Sequence, residues 1–171
     1  MARTPSSSTS SETASTAPGS NKPAVSRGQL IELLNKDLAR EYQAIIAYIV
    51  YSQVLKGAEY MNIAAELEKH AQEELNHALI IAKQVDYLGG MPEVKPLQVR
   101  TSERATDMLR YDLEQENETI RDYRERVRQC EALGEFALAE HIRDILVDEQ
   151  EHQMDLATAL GEDTPNAATT K

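Results

Sequence analysis

Six side chains have the types and the spacing to hold a pair of metal ions: Glu41, Glu74, His77, Glu116, Glu149 and His152. Glu41 precedes Glu74 by 33 residues, and Glu116 precedes Glu149 by 33. In each case a histidine follows three positions later. One offset of 75 residues relates the two triplets, and Tyr48 and Tyr123 obey it too. Such self-similarity is what a duplicated helix hairpin leaves in a sequence. A Glu-x-x-His pair on a helix puts both side chains on one face, about one turn apart. The carboxylate can then bridge two ions while the imidazole binds one. Four carboxylates balance the charge of two divalent cations. Carboxylate with imidazole suits iron or manganese and disfavours soft metals. A lone Glu-x-x-His is common by chance, and a single Glu or His in an apolar stripe is ordinarily a hydrogen-bonded structural group. Six positions at two repeated spacings outweigh both readings.

The elements that must position these residues are helices. Leu30, Leu34, Leu38, Glu41, Ile45 and Tyr48 recur at steps of three or four, as does the run Ile63, Leu67, His70, Glu74, His77, Ile81, Val85 and Leu88. Leu109, Leu113, Glu116, Ile120, Tyr123 and Val127 form a third stripe, and Leu138, Ile142, Ile145, Glu149, His152, Leu156 and Leu160 a fourth. This period is helical. A capping box at Ser26 and Gln29 predicts a first helix over 27–56, ending near Gly57. A second is expected over 59–88, stopped by Gly89, Gly90 and Pro92. A third begins after Thr101 or Ser102 and ends by Gly134. A fourth covers 135–160. Short links make the first and last pairs antiparallel hairpins. The middle link, about 12–14 residues with Pro92 and Pro96, can span about 40–45 Å. It is expected to cross the whole bundle. The predicted fold is all-α: an antiparallel four-helix bundle with a long crossover.

Every stripe therefore carries a carboxylate at the level of the core. Burying an unpartnered charge is costly, and four together repel one another. Cations are the natural remedy. His70 lies in register four residues before Glu74 and reads best as a hydrogen-bonded core histidine.

The chain has 171 residues, 41% of them hydrophobic and 27% charged, enough for one domain from 26 to 161. Residues 1–25 hold eleven Ser or Thr and read as a disordered tail, and 162–171 as a flexible one. No apolar run is long enough to span a bilayer, and the N-terminus offers no apolar secretion signal. The single cysteine, Cys130, leaves no intrachain disulfide and no CxxC knuckle, so a reducing, cytoplasmic setting is expected. Eighteen basic against 29 acidic residues give a net charge of −11, a poor match for nucleic acid and a better one for cations.

These motifs resemble the ferritin-like superfamily, most closely its bacterioferritin branch, in the arrangement described for di-iron carboxylate bundles. The resemblance covers about residues 27–160. It rests on Glu41 in LAREYQAIIAY, Glu74 and His77 in EELNHA, Glu116 in MLRYDLEQE, Glu149 and His152 in ILVDEQEH, and the LGGMP segment. It implies a ferroxidase centre: two Fe(II) ions bind, O2 or H2O2 oxidises them, and ferric mineral collects in a protein shell. By that match Glu74 and Glu149 bridge the ions. Glu41 with His77, and Glu116 with His152, are terminal ligands. Tyr48 stands where the family carries a tyrosine beside the metals, which adds it to the catalytic set. Iron is the expected metal, with manganese or a mixed pair as alternatives. Leu75 replaces the methionine of haem-binding bacterioferritins, so haem is not expected. The chain turns polar after Gly161, where large shells carry a fifth helix. That favours a homo-oligomer of twelve subunits over one of twenty-four. With only Arg3 and Lys22 in the N-terminal tail, DNA binding is not expected. The competing readings are a di-metal peroxidase or catalase of rubrerythrin-like or manganese-catalase-like type, and a non-enzymatic bundle that binds a partner.

Overall fold

A computed structural model describes residues 25–166. Four helices follow one another: α1 Arg27–Val54, α2 Met61–Tyr87, α3 Ala105–Ala132 and α4 Phe136–Leu160, with a short 3-10 turn, Ala58–Tyr60, before α2. There are no strands among the described residues. The predicted 1–25 tail and the end of the C-terminal tail fall outside this range, Val25 excepted. Residues 162–166 run against the bundle: Glu162 pairs with Arg110, and the Pro165 carbonyl accepts from Gln153 at 3.1 Å.

The predicted caps account for where the chain turns. Ser26 and Gln29 form the capping box, with Ser26 N donating to Gln29 Oε1 at 2.8 Å and Gln29 N to Ser26 Oγ at 3.2 Å. α1 ends at Val54, two residues before the predicted boundary, because Leu55 is extended and Gly57 turns through φ 127°. α3 stops at a left-handed glycine: Gly134 has φ 77°, and Glu135 N reaches back to the Cys130 carbonyl at 2.9 Å. That geometry closes a helix end only where a Cβ is absent or tolerated.

The link between α2 and α3 spans residues 88–104, longer than the 12–14 expected, because both flanking helices are shorter than predicted. It runs along α1 in the direction of that helix. Met91 O accepts from Asn35, Leu97 N donates to Ala39 O at 3.0 Å, Gln98 O accepts from Gln43 at 2.8 Å, and Arg100 O accepts from Tyr51. These contacts identify it as the crossover, and α2 and α3 are therefore parallel.

The stripes face inward as their period requires. All the stripe residues are buried except Ile45 and Leu160, which are half-buried. Two apolar clusters result. One gathers Leu30, Leu34, Leu38, Ile81, Val85 and Ile142. The other gathers Tyr51, Leu67, Leu109, Leu113 and Leu156. Burial of each such leucine contributes about 1.5–3 kcal/mol. Between the clusters lies the level of the six polar residues, closed off from water on both sides. No described helix is long and apolar enough to cross a membrane.

One buried ion cluster ties the hairpins together. Asp37 on α1 accepts from Arg126 of α3 at 2.6 and 3.0 Å and from Arg40 at 2.8 Å. Removing its charge leaves the Arg126 guanidinium without a carboxylate in the interior and Arg40 with Asp122 alone. Asp37→Ala is therefore expected to cost about 3–5 kcal/mol in urea unfolding; an unchanged midpoint would show that the cluster does not hold the hairpins together.

Candidate metal centre

Each of the four helices brings one carboxylate to the middle of the bundle, and α2 and α4 add a histidine one turn on. Glu41, Glu74, His77, Glu149 and, sharing two of these, Glu74, Glu116, Glu149, His152 form two groups of donors, each within 4.8 Å. All six residues are at most 3% exposed.

The distances distinguish two kinds of carboxylate. Glu74 directs Oε2 to His77 Nδ1 at 3.1 Å and Oε1 to His152 Nδ1 at 3.2 Å. Glu149 does the same, with Oε1 at 3.4 Å from His77 and Oε2 at 3.5 Å from His152. Both therefore divide their oxygens between the two halves. Glu41 approaches only His77, at 3.5 Å, and Glu116 only His152, at 4.0 Å. Each imidazole turns Nδ1 to the centre and spends Nε2 outward, on Asp148 at 3.0 Å for His77 and on Glu73 at 2.8 Å for His152. An outer carboxylate of this kind fixes ring orientation and tautomer. The two tyrosines complete the symmetry: Tyr48 donates to Glu116 Oε1 and Tyr123 to Glu41 Oε1.

The donor set fits a pair of cations. Oε2 of Glu41, Oε2 of Glu116, both oxygens of Glu149 and Nδ1 of His152 are buried without a hydrogen-bond partner. Buried carboxylate oxygens without donors call for positive charge.

A family model for the ferritin-like domain matches residues 31–164. The chain belongs to the ferritin-like domain family. A bacterioferritin of Desulfovibrio desulfuricans is 31% identical over 127 residues, covering 74% of this chain and 71% of that protein. Among solved structures, the ferritin-like, diiron-carboxylate proteins of Bacillus anthracis superpose with a TM-score of 0.75 at 35% identity, over 78% of this chain and 96% of theirs. A dodecameric thioferritin, the bacterioferritin-related protein of Bacteroides fragilis, gives 0.74 at 26%, over 80% and 87%.

Within this ferritin-like bundle the sequence had pointed to all six central residues and Tyr48, and the fold brings all seven together. Sequence reasoning gave no role to Tyr123, Glu73 or Asp148. The signal was available: Glu73 and Asp148 are also 75 apart. His70 is buried, with Nε2 on Asp155 at 3.2 Å, and its ring lies 4.0 Å from that of His152.

The facing charges shift the titration of the central groups. Burial opposes charge on both histidines, yet the facing carboxylates win. His152 is pushed up to about 12, chiefly by Glu149 and Glu74, and His77 is raised further still by Glu149, Glu41 and Glu74. Burial, then the Glu74 charge, lifts Glu41 well above the usual carboxylate range, and burial with Glu149 does the same for Glu116. Burial alone would raise Glu74 as well, but the facing His152 and His77 rings hold it well below that range. A cation must displace these protons, so its affinity rises with pH through neutrality. Adding Mn(II) to metal-free protein in weak buffer at pH 7 is expected to release about one proton or more per ion. An indicator dye reads the release directly, and binding without acidification would contradict this charge assignment.

Proposed function

We propose that this chain oxidises Fe(II) with O2 or H2O2 at the six-residue centre and stores the product in a shell built of its own copies. The observation that carries the reading is the division of the Glu74 and Glu149 oxygens between the two histidines, which suits two ions side by side. Glu74 and Glu149 would span the pair. Glu41 with His77 would hold one ion, and Glu116 with His152 the other. Two Fe(II) supply two electrons, enough to reduce O2 to H2O2 or H2O2 to water, with two protons consumed.

The protein's own residues have separate tasks. The four carboxylates neutralise incoming charge. His77 and His152 release protons as they become ligands. Asp148 and Glu73 keep each Nδ1 aimed inward. Tyr48 and Tyr123 donate to the two outer carboxylates and steady their unshared oxygens; Tyr48 is the tyrosine proposed to take part in the chemistry. The apolar clusters on either side exclude bulk water.

Likeness to bacterioferritin and to diiron-carboxylate proteins supports iron as the substrate. Likeness to a dodecameric relative supports a twelve-subunit shell. The test is aerobic addition of Fe(II) followed by size-exclusion chromatography. The wild-type chain should accelerate oxidation and retain iron in a particle of about twelve subunits, and Glu74→Ala should oxidise iron no faster than free solution. Rapid consumption of peroxide without retained iron would instead favour a peroxidase or catalase.

A further inference from the structure

The 75-residue duplication also relates two buried aspartates, Asp37 and Asp112, and here the halves differ. Asp37 is neutralised by Arg126 and Arg40. The counterparts of those arginines in the other half are Tyr51 (126 − 75) and Gln115 (40 + 75), neither of them cationic. The Tyr51 hydroxyl donates to the Arg100 carbonyl. Asp112 is 4% exposed, and its Oδ2 has no hydrogen-bond partner.

Asp112 lines a cavity of about 20 Å³ bounded by the four helices and the crossover. Its inner wall includes Glu41, Glu74, Glu116 and Glu149, and Gln43 lines it as well. Gln43 is 7% exposed, gives its amide nitrogen to Gln98 O, and leaves Oε1 without a partner. The space is enough for one water-sized occupant. Two orphaned oxygens there lack a donor, and a cation would supply the charge that Arg126 supplies to Asp37. Two guanidiniums also border the cavity: both hold carboxylates elsewhere, and Arg40 leaves its Nε without a partner. Arg40 bonds Asp37 and Asp122, and Arg100 bonds Glu114 at 2.8 Å and stacks 4.1 Å above the Tyr111 ring.

We propose that Asp112 and Gln43 form a station for one divalent cation, separate from the six-residue centre and one helical turn from Glu116, from which metal passes inward. The donors are a carboxylate and an amide carbonyl, both hard oxygens, so Fe(II) and Mn(II) fit and thiophilic ions do not. Two protein donors leave the remaining positions to water, which makes the ion exchangeable. The delivery role rests on the ferroxidase reading; the cation site itself does not.

Anaerobic soaks of full-chain crystals in Mn(II) test this by anomalous diffraction. The expected result is a peak about 2.0–2.6 Å from an Asp112 carboxylate oxygen. It should vanish in Asp112→Asn and weaken in Gln43→Leu, with the two central peaks retained in both. Full central peaks with only water, or a swung Arg100, at Asp112 would overturn the station. A peak at Asp112 with an empty centre would uphold the station and overturn the ferroxidase reading, and no peak at either place would overturn both. In stopped-flow oxidation, Asp112→Asn should raise the half-saturating Fe(II) concentration about five-fold or more; an unchanged value would overturn delivery.

Discussion

Negative charge enclosed in a dry interior is the constraint on which the rest of this structure depends. Four carboxylates converge at one level of the bundle, sealed above and below by leucine, isoleucine and tyrosine side chains. In water such a cluster would be screened. Inside a protein its repulsion is strong and its lost hydration is not replaced by hydrogen bonds. Without cations, the chain meets this constraint by raising both histidines through their facing carboxylates and raising the Glu41 and Glu116 carboxyls through burial. A pair of divalent ions would meet it more completely, because they would also satisfy oxygens that no donor reaches. The long helices, the crossover laid along α1 and the buried Asp37 cluster all serve to keep those oxygens converged.

Duplication explains how one chain builds such a centre economically. Each hairpin supplies two carboxylates, a histidine, a tyrosine and an outer carboxylate, and the contacts pair them across the halves. Asp148 of the second hairpin orients His77 of the first, and Glu73 of the first orients His152 of the second. Tyr48 and Tyr123 reach across in the same way. Neither hairpin alone has a complete site, so the centre reports on correct docking of the two. The symmetry breaks at Asp37 and Asp112, where one carboxylate is neutralised by two guanidiniums and the other keeps an oxygen without a partner.

Much of this was legible in the sequence because helices impose their period on it. The four stripes, the Ser26 capping box, the glycine stops and the long link each have a local cause, and each appears in the fold. Helix ends shifted by a few residues where local chemistry was subtler, as at Leu55, whose extended backbone closes α1 early. Ile45 and Leu160 were read as core and are only half-buried, since a period gives the face of a helix and not its rotation against its neighbours. The partners of Tyr123, Glu73 and Asp148 depend on that rotation too, and on contacts between residues 71–82 positions apart. The orphaned oxygen of Asp112 was hidden for the same reason: its lack of a partner emerges only once the opposite helix is in place.

The most direct test of the account is the thermal stability of metal-stripped protein as Mn(II) is titrated in under anaerobic conditions. If cations relieve buried charge, they bind the folded chain far better than the unfolded one. The unfolding midpoint must then climb steadily with free metal, by an amount worth about 2.7 kcal/mol at a hundred times the dissociation constant. A midpoint indifferent to metal across that range would mean that the carboxylates are content with their protons, and the account would fail.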